Sequence, residues 1–226
     1  MSAGAMLVAL ALDAAVGWPG AAMRRIGHPV IWAGRLIEAL EARLNAPGLA
    51  PAERRRNGAA AALLVIAAAA LAAGLAGALL PGGWAGTLLA GVLAWPLVAA
   101  RALHGHVAAV ARPLAAGDGA AARREVAKIV GRDPARLDPA GMARATLESL
   151  AENASDGVVA PLFWGALLGL PGIAAYKAVN TLDSMIGHRD ARFADFGRFA
   201  ARLDDLVNWP AARLTAALIA LASGRP

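Results

Sequence analysis

Apolar residues fall in blocks along this chain, and the blocks predict its architecture. From Gly58 to Leu80 no side chain is charged, a run that meets the roughly 20 apolar residues a helix needs to cross a hydrocarbon layer. The "PGG" at 81–83 predicts a tight turn, and 84–100 is apolar again, so the two runs read as a transmembrane hairpin. Arg54, Arg55 and Arg56 precede it and Arg101 follows it. Basic residues collect on the cytoplasmic side of spans, which places both ends of the hairpin in the cytoplasm and its turn outside.

The flanking segments are less apolar. Residues 3–16 surround a single acid, Asp13, and are marginal as a span. Within 29–44, Leu36, Ile37, Leu40 and Leu44 recur along one face while Arg35, Glu38, Glu41 and Arg43 fall largely elsewhere. That is the pattern of an amphipathic helix lying on protein or on a membrane surface. Segment 101–156 is polar and basic. Asp118 is placed to cap a helix that Gly131 would stop, and Asp138 to cap another with Pro139 in its first turn. The second of these helices carries Glu148 and Glu152 on one face, with Asp156 near its end, just before Gly157.

Residues 157–176 have the length of a span but contain Pro161, Gly165, Gly169, Pro171 and Gly172, which specify a straight helix poorly. The following segment, 177–210, is again rich in Arg. A full crossing at 157–176 would leave that basic loop outside, against the charge rule, so a broken or re-entrant segment is expected. The last apolar run, 211–222, is short. With no internal repeat and no Ser/Pro-rich linker, the expectation is one membrane-embedded unit over 1–226. It is an all-α, polytopic helical membrane protein with cytoplasmic helical loops.

Composition strengthens this picture. Hydrophobic residues make up 58% of the chain, against about 45–50% in soluble domains, and the mean hydropathy is +0.53. The net charge of +6 sits in segments flanking apolar runs and does not alternate with exposed aromatics, which argues against a nucleic-acid partner. The lack of Cys excludes disulfides, a thiol nucleophile and Cys-bound metal. The N-terminus lacks the basic region and cleavage site of a removable signal peptide.

Polar residues with chemical potential gather in three clusters beside apolar segments: Glu148, Glu152, Asn153 and Asp156; Lys177, Asn180, Asp183 and Ser184; and Arg202, Asp204, Asp205, Asn208 and Arg213. Grouped carboxylates suit Mg²⁺ with its waters and substrate phosphates, while Lys and Arg suit phosphate oxygens. These are the parts of a phosphoryl-transfer site, in which catalysis is mostly positioning and charge neutralisation. Each cluster alone is equally the solvated face of a loop or a set of ion pairs at a bilayer edge. Together they favour function, because charge near lipid is costly. No Walker loop and no dinucleotide-binding glycine motif is present. His104 and His106 lack a nearby third ligand, His28 in "GHPV" is placed to cap a helix or touch substrate, and His188 lies in a polar loop.

The stretches "HPVIWAGRLIEALE", "IVGRDPARLD", "RATLESLAENASDGVVAPLFWGALLGLPGIAAYKAVNTLDSMIGH" and "FAARLDDLVNWPAARLTA", in that order across 28–216, resemble the membrane-bound adenosylcobinamide-phosphate synthases of cobalamin biosynthesis. The resemblance implies ATP-dependent amide ligation of adenosylcobyric acid with aminopropanol phosphate or aminopropanol, in the presence of Mg²⁺, with ATP as a substrate. It implies catalytic roles for Glu148, Glu152, Lys177, Asp183 and Asp205. Substrate and phosphate binding fall to His28, Asn153, Asn180, Ser184, Arg202, Asn208 and Arg213. Metal binding falls to Glu148, Glu152, Asp156, Asp183, Asp204 and Asp205. The site is expected on the cytoplasmic face of the inner or plasma membrane, with the lipid bilayer and the corrinoid as partners and an oligomer compatible with the sequence.

Two departures stand out. The family usually carries Gly-Asp-Pro near the N-terminus, where this chain has Gly17, Trp18 and Pro19. Relatives continue with further apolar segments and a Ser-Pro-Asn-x-x-Gly-like motif, whereas this chain stops at "ASGRP" and reads as a C-terminally short form. Two other classes stay open: an ion-coupled transporter, for which broken helices with acids are typical, and a non-catalytic membrane regulator on the same scaffold.

Overall fold

The computed structural model of the chain describes residues 2–130 and 137–224, and all regular structure among them is helical. In chain order the helices are α1 (Ser2–Val16), α2 (Gly20–Ile26), α3 (Pro29–Leu44), α4 (Pro51–Ala78), α5 (Gly83–Ala94), α6 (Ala100–Ala115), α7 (Gly119–Val126), α8 (Pro139–Ala154), α9 (Ala160–Ile186) and α10 (Arg198–Ser223). A short 3-10 turn, Trp95–Leu97, joins α5 to α6, and one π-helical turn, Ser155–Val159, joins α8 to α9.

Four stretches are long and apolar enough to cross a membrane: Pro51–Ala78, Gly83–Ala115, Pro139–Ile186 and Arg198–Ser223. The expected hairpin is present, with α4 and α5 meeting at the Pro81–Gly83 turn, where Gly83 takes φ +73°. Asp118 caps α7 by accepting from the Ala121 amide at 2.8 Å, and Asp138 caps α8 by accepting from Gly141 at 2.7 Å, with Pro139 at the first helical position. Gly131, expected to stop the first of these, lies outside the described residues. The apolar run 211–222, expected to be short, is instead the second half of a 26-residue helix that continues through Pro210.

Residues 139–186 do not form one rod. At Gly169 the backbone takes φ 68° and ψ −153°, a region open to essentially no residue but glycine. The chain reverses there. A Cβ on Gly172 would collide with the carbonyl oxygen of Trp164. The Tyr176 hydroxyl lies 3.3 Å from the Asp156 carbonyl oxygen, whereas twenty residues of straight helix would separate them by about 30 Å. The segment enters and leaves at one level, as the broken reading requires.

Such a hairpin is tolerated in an apolar medium only where protein covers it, because freed backbone groups find no water there. Its inner side is covered. Leu170 and Ile173 are buried in one cluster with Met6 and Ala9 of α1 and Ala94 of α5. A second cluster joins Ile37, Val65, Leu182, Ile186, Phe196 and Ala200, and so binds α3, α4, the second limb of α9 and the start of α10. α3 therefore lies on protein. Its buried positions are Gly34, Ile37 and Glu41, with Leu40 and Leu44 packed beside them, while Leu36 turns outward.

Polar contacts clip the basic loop before α10 to the α3–α4 corner. The Arg192 guanidinium donates to both oxygens of Glu41, at 3.0 and 2.7 Å. Arg54 donates to Asn45 and to the carbonyls of Ala191 and Arg192, and Arg55 pairs with Asp195 at 2.9 Å. The two segments expected on the cytoplasmic side are thus fastened to one another.

Two outcomes follow. The chain has no Cys, so single cysteines are unique probes. In intact cells an impermeant maleimide should label Gly82→Cys and spare Arg56→Cys and Arg189→Cys, and strong labelling at Arg189→Cys would sink the re-entrant arrangement. Gly169→Ala should lower stability by about 1–3 kcal/mol, read as a drop in thermal midpoint in detergent.

Candidate functional site

The site begins at the π-helical turn. An extra residue in a helical turn shifts the register of everything beyond it, and such turns are frequent at functional sites. Here it begins where the Glu148–Glu152 row ends, and it contains Asp156. Glu148 and Glu152 stay exposed on α8, while Asp156 is half-buried. The carboxylate ladder is therefore divided, with two acids in solvent and one aimed at the hairpin. Asn153 is exposed and donates to the Ser149 carbonyl at 2.8 Å.

The fold-back sets Asp156 beside the second limb of α9. Lys177 lies in the electrostatic fields of Asp156 and Asp204, and Asp156 in those of Glu152, Lys177 and Asp183. Asp204 faces Asp183, Asp156 and Asp205. One member or more of each sequence cluster thus meets at one place, supplied by the π-turn, α9 and α10. Lys177 is the cation of this group. It is half-buried and touches the Asn180 side-chain oxygen at 3.3 Å.

A hydrogen-bonded chain orders the acids. The Tyr176 hydroxyl donates to the Asn208 side-chain oxygen at 2.7 Å, and the Asn208 amide donates to Oδ2 of Asp204 at 2.8 Å. Asp204 is buried, 8% exposed, and its other oxygen, Oδ1, has no hydrogen-bond partner among the described residues. A buried carboxylate oxygen without a donor is costly unless something fills the gap. The Trp164 indole donates to the Val207 carbonyl at 3.0 Å and holds the first limb of α9 against α10.

His28 caps α3, its Nδ1 accepting from the Val30 amide at 3.2 Å. Its ring meets Trp18 edge-on at 5.4 Å and lies in the field of Lys177, so capping and proximity to the site coexist. A cleft opens between α3 and the second limb of α9. Its apolar part, about 350 Å³, is walled largely by alanines of α4. Its polar part, about 490 Å³, is lined by Arg35, Glu38, Asn180 and Ser184. Lys177 and Thr181 border both parts.

The other residues singled out from the sequence lie farther out. Asp205 is exposed, though it acts on Asp183 and Asp204. Ser184 is exposed and donates to the Asn180 carbonyl. Arg202 is exposed, and Arg213 lies over the Trp209 ring at 3.7 Å and donates to the Trp209 carbonyl. Among the described residues no three acids or histidines stand close enough together to chelate an ion by themselves. Tyr176 and Arg35 were not singled out. The chain's single tyrosine, at the end of an apolar run and next to Lys177, is the signal that marks Tyr176.

The sequence profile of the CobD/Cbib protein family matches residues 6–225. The chain is 58% identical over 218 residues to the cobalamin biosynthesis protein CobD of Rhodobacter capsulatus, covering 96% of this chain and 68% of that one. It is 47% identical over 226 residues to the protein of the same name from Brucella suis, covering 96% and 66%, and 45% identical over 216 residues to that of Rhizobium meliloti, covering 95% and 66%. The chain thus spans about two thirds of the length of these relatives. No solved structure matches it.

Tyr176→Phe removes one end of the Tyr176–Asn208–Asp204 chain and should cost about 1 kcal/mol of stability. Because the three groups act as a unit, Asn208→Ala should cost less in the Tyr176→Phe background than alone, and strict additivity of the two thermal shifts would refute the coupling.

Proposed function

Because the chain belongs to the CobD/Cbib family of cobalamin biosynthesis proteins, we propose that it is an ATP-dependent acid–amine ligase joining adenosylcobyric acid to aminopropanol phosphate, or aminopropanol, to give adenosylcobinamide phosphate or its phosphate-free counterpart. The observation that carries this reading is that Asp156, Lys177, Asp183 and Asp204 act on one another electrostatically, Asp204 keeping one buried carboxylate oxygen without a donor, beside a cleft that is apolar at one end and polar at the other.

The chemistry sets what the residues must do. A carboxylate does not expel oxide, so the corrinoid carboxyl needs activation. Its oxygen attacks the terminal phosphorus of ATP, ADP departs, and an acyl phosphate results. The amine nitrogen then attacks the acyl carbon, the C–O bond breaks, and phosphate leaves with the electron pair as the nitrogen loses a proton. Negative charge accumulates at both steps, and preorganised cations in a site that excludes water stabilise it most effectively. Lys177 is placed for this.

The acids fit Mg²⁺. No three of them form a cage, but Mg²⁺ is commonly held by one or two carboxylates plus substrate phosphates, and Asp204, with Oδ1 free of any donor, is the carboxylate that would supply such a contact. An Mg²⁺ bound there would neutralise phosphate charge. Tyr176 and Asn208 orient Asp204 for that contact, and Asp205 adds negative potential from the rim. Glu148 and Glu152, in solvent at the approach to Asp156, act through long-range field, and Arg202 and Arg213 are placed to attract an anionic substrate towards the site.

This reading places the site on the cytoplasmic face of the inner or plasma membrane, where ATP is available and where the clipped basic loops lie under the charge rule. The polar end of the cleft receives the small substrate, and the apolar end accepts a hydrophobic edge of the corrinoid. An oligomer is compatible with it.

Purified protein in detergent, given adenosylcobyric acid, aminopropanol phosphate and Mg-ATP, should release ADP and form the amide. Lys177→Ala and Asp204→Asn should each lower turnover at least a hundredfold with little change in thermal midpoint, a loss of about 3 kcal/mol in transition-state stabilisation. Glu152→Gln, an exposed change, should lower it less than tenfold. Absence of both ADP and amide with all three substrates present would rule out the ligase assignment for this chain.

A further inference from the structure

The polar end of the cleft has a wall that no sequence motif singled out. α3 crosses the second limb of α9 at Gly34, where an added Cβ would stand only 3.3 Å from the Met185 sulfur. That close crossing directs the next turn of α3 along the cleft. Arg35 and Glu38 line it from one side, and Lys177, Asn180 and Ser184 from the other. Both Arg35 and Glu38 are exposed, and neither forms an ion pair among the described residues. Lys177 makes a single long contact, to Asn180, and has protons to spare.

The lining therefore holds one uncommitted cation, Arg35, one uncommitted acid, Glu38, and Lys177, whose charge also serves Asp156 and Asp204. Arg presents a planar fork that binds phosphate oxygens bidentately, and Lys supplies a compact charge beside it. Glu38 lies one turn along from Arg35, and side chains three apart on a helix stand about 5–6 Å apart at Cβ. That spacing matches a short molecule with a phosphate at one end and an ammonium a few bonds away. It suits a nucleotide poorly, since Glu38 would oppose the several negative charges of a triphosphate.

We propose that this cleft binds the small amine substrate as a zwitterion, its phosphate held between Arg35 and Lys177 and its ammonium on Glu38. The inference rests on the ligase reading for the identity of the amine, but its test does not depend on turnover. Arg35 and Glu38 are binding residues in this assignment, and the gap left in the site by the outward-lying Arg202 and Arg213 is filled by Arg35.

Calorimetric titration of aminopropanol phosphate into the purified full chain, without nucleotide, reads the site directly. Arg35→Ala should weaken binding about ten- to a hundredfold, the range for loss of a charge-assisted contact, and Arg35→Lys should recover part of it. Phosphate-free aminopropanol should bind Arg35→Ala and wild type equally, and Mg-ATP should too. Glu38→Gln should weaken both amines. Thermal unfolding identifies a variant that fails to fold, in which case Arg35→Lys and Glu38→Gln carry the test. Wild-type protein that does not bind the amine phosphate, Arg35→Ala that binds it normally, or Arg35→Ala that instead loses Mg-ATP would overturn the proposal. If binding behaves as expected while no amide forms with all substrates present, the cleft assignment stands and the ligase reading falls.

Discussion

The chain's reversal at Gly169 is the constraint on which the rest depends. An apolar run of this length would ordinarily cross the bilayer and separate its two ends by the full thickness of the hydrocarbon core. Doubling back keeps the ends together, and that is why Asp156, before the hairpin, can share a site with Tyr176 and Lys177 after it. The reversal needs a backbone conformation that only glycine supplies cheaply, and it needs cover from α1 and α5 to be tolerable in an apolar surrounding. Local strain and tertiary packing are thus linked. Without the packing the hairpin would have no reason to persist, and without the hairpin the acids would not meet.

Much of this was legible in the sequence. The span at 58–80, the turn at 81–83 and the caps at Asp118 and Asp138 are short-range signals, and each depends on a run or on a residue a few positions away. The break in 157–176 was legible as well, because the glycines and prolines conflict with a straight helix and the charge of the following loop conflicts with a crossing. The site was visible only in part. The three polar clusters were evident, but their convergence depends on α10 packing against the hairpin, and no local pattern encodes that.

The residues that the sequence placed imperfectly show why. Glu148, Glu152 and Asp156 look like one row at i, i+4 spacing, yet the first two lie in solvent on α8 while Asp156 is half-buried in a π-helical turn. One inserted residue changes the facing of a side chain, and residue spacing alone cannot reveal it. Arg202 and Arg213 have the right chemistry for phosphate, but Arg213 is engaged with Trp209 at the surface. Arg35 lay unnoticed because its helix reads as an ordinary amphipathic one. Only the crossing of α3 over α9 brings it to the cleft.

Lys177 stands on the border between two unlike environments. On one side are Asp156 and Asp204, acids whose charge is expensive to hold away from water. On the other is the cleft, where Arg35 is the second cation. A cation in that position serves the acids in the resting protein and is available to a phosphate when one arrives, so the charge developed in the proposed reaction meets groups already in place. A transporter would also place charge at a broken helix. Its hallmark, however, is a site reached alternately from both faces. Here the hairpin returns to the level at which it started, and the polar cleft lies beside Asn180 and Ser184 on the limb leading to the loop clipped by Glu41 and Arg192. Placing the polar cleft on the limb that leads to this clipped, basic loop fits the proposed ligase, whose small substrates are soluble, better than a carrier that must serve both faces.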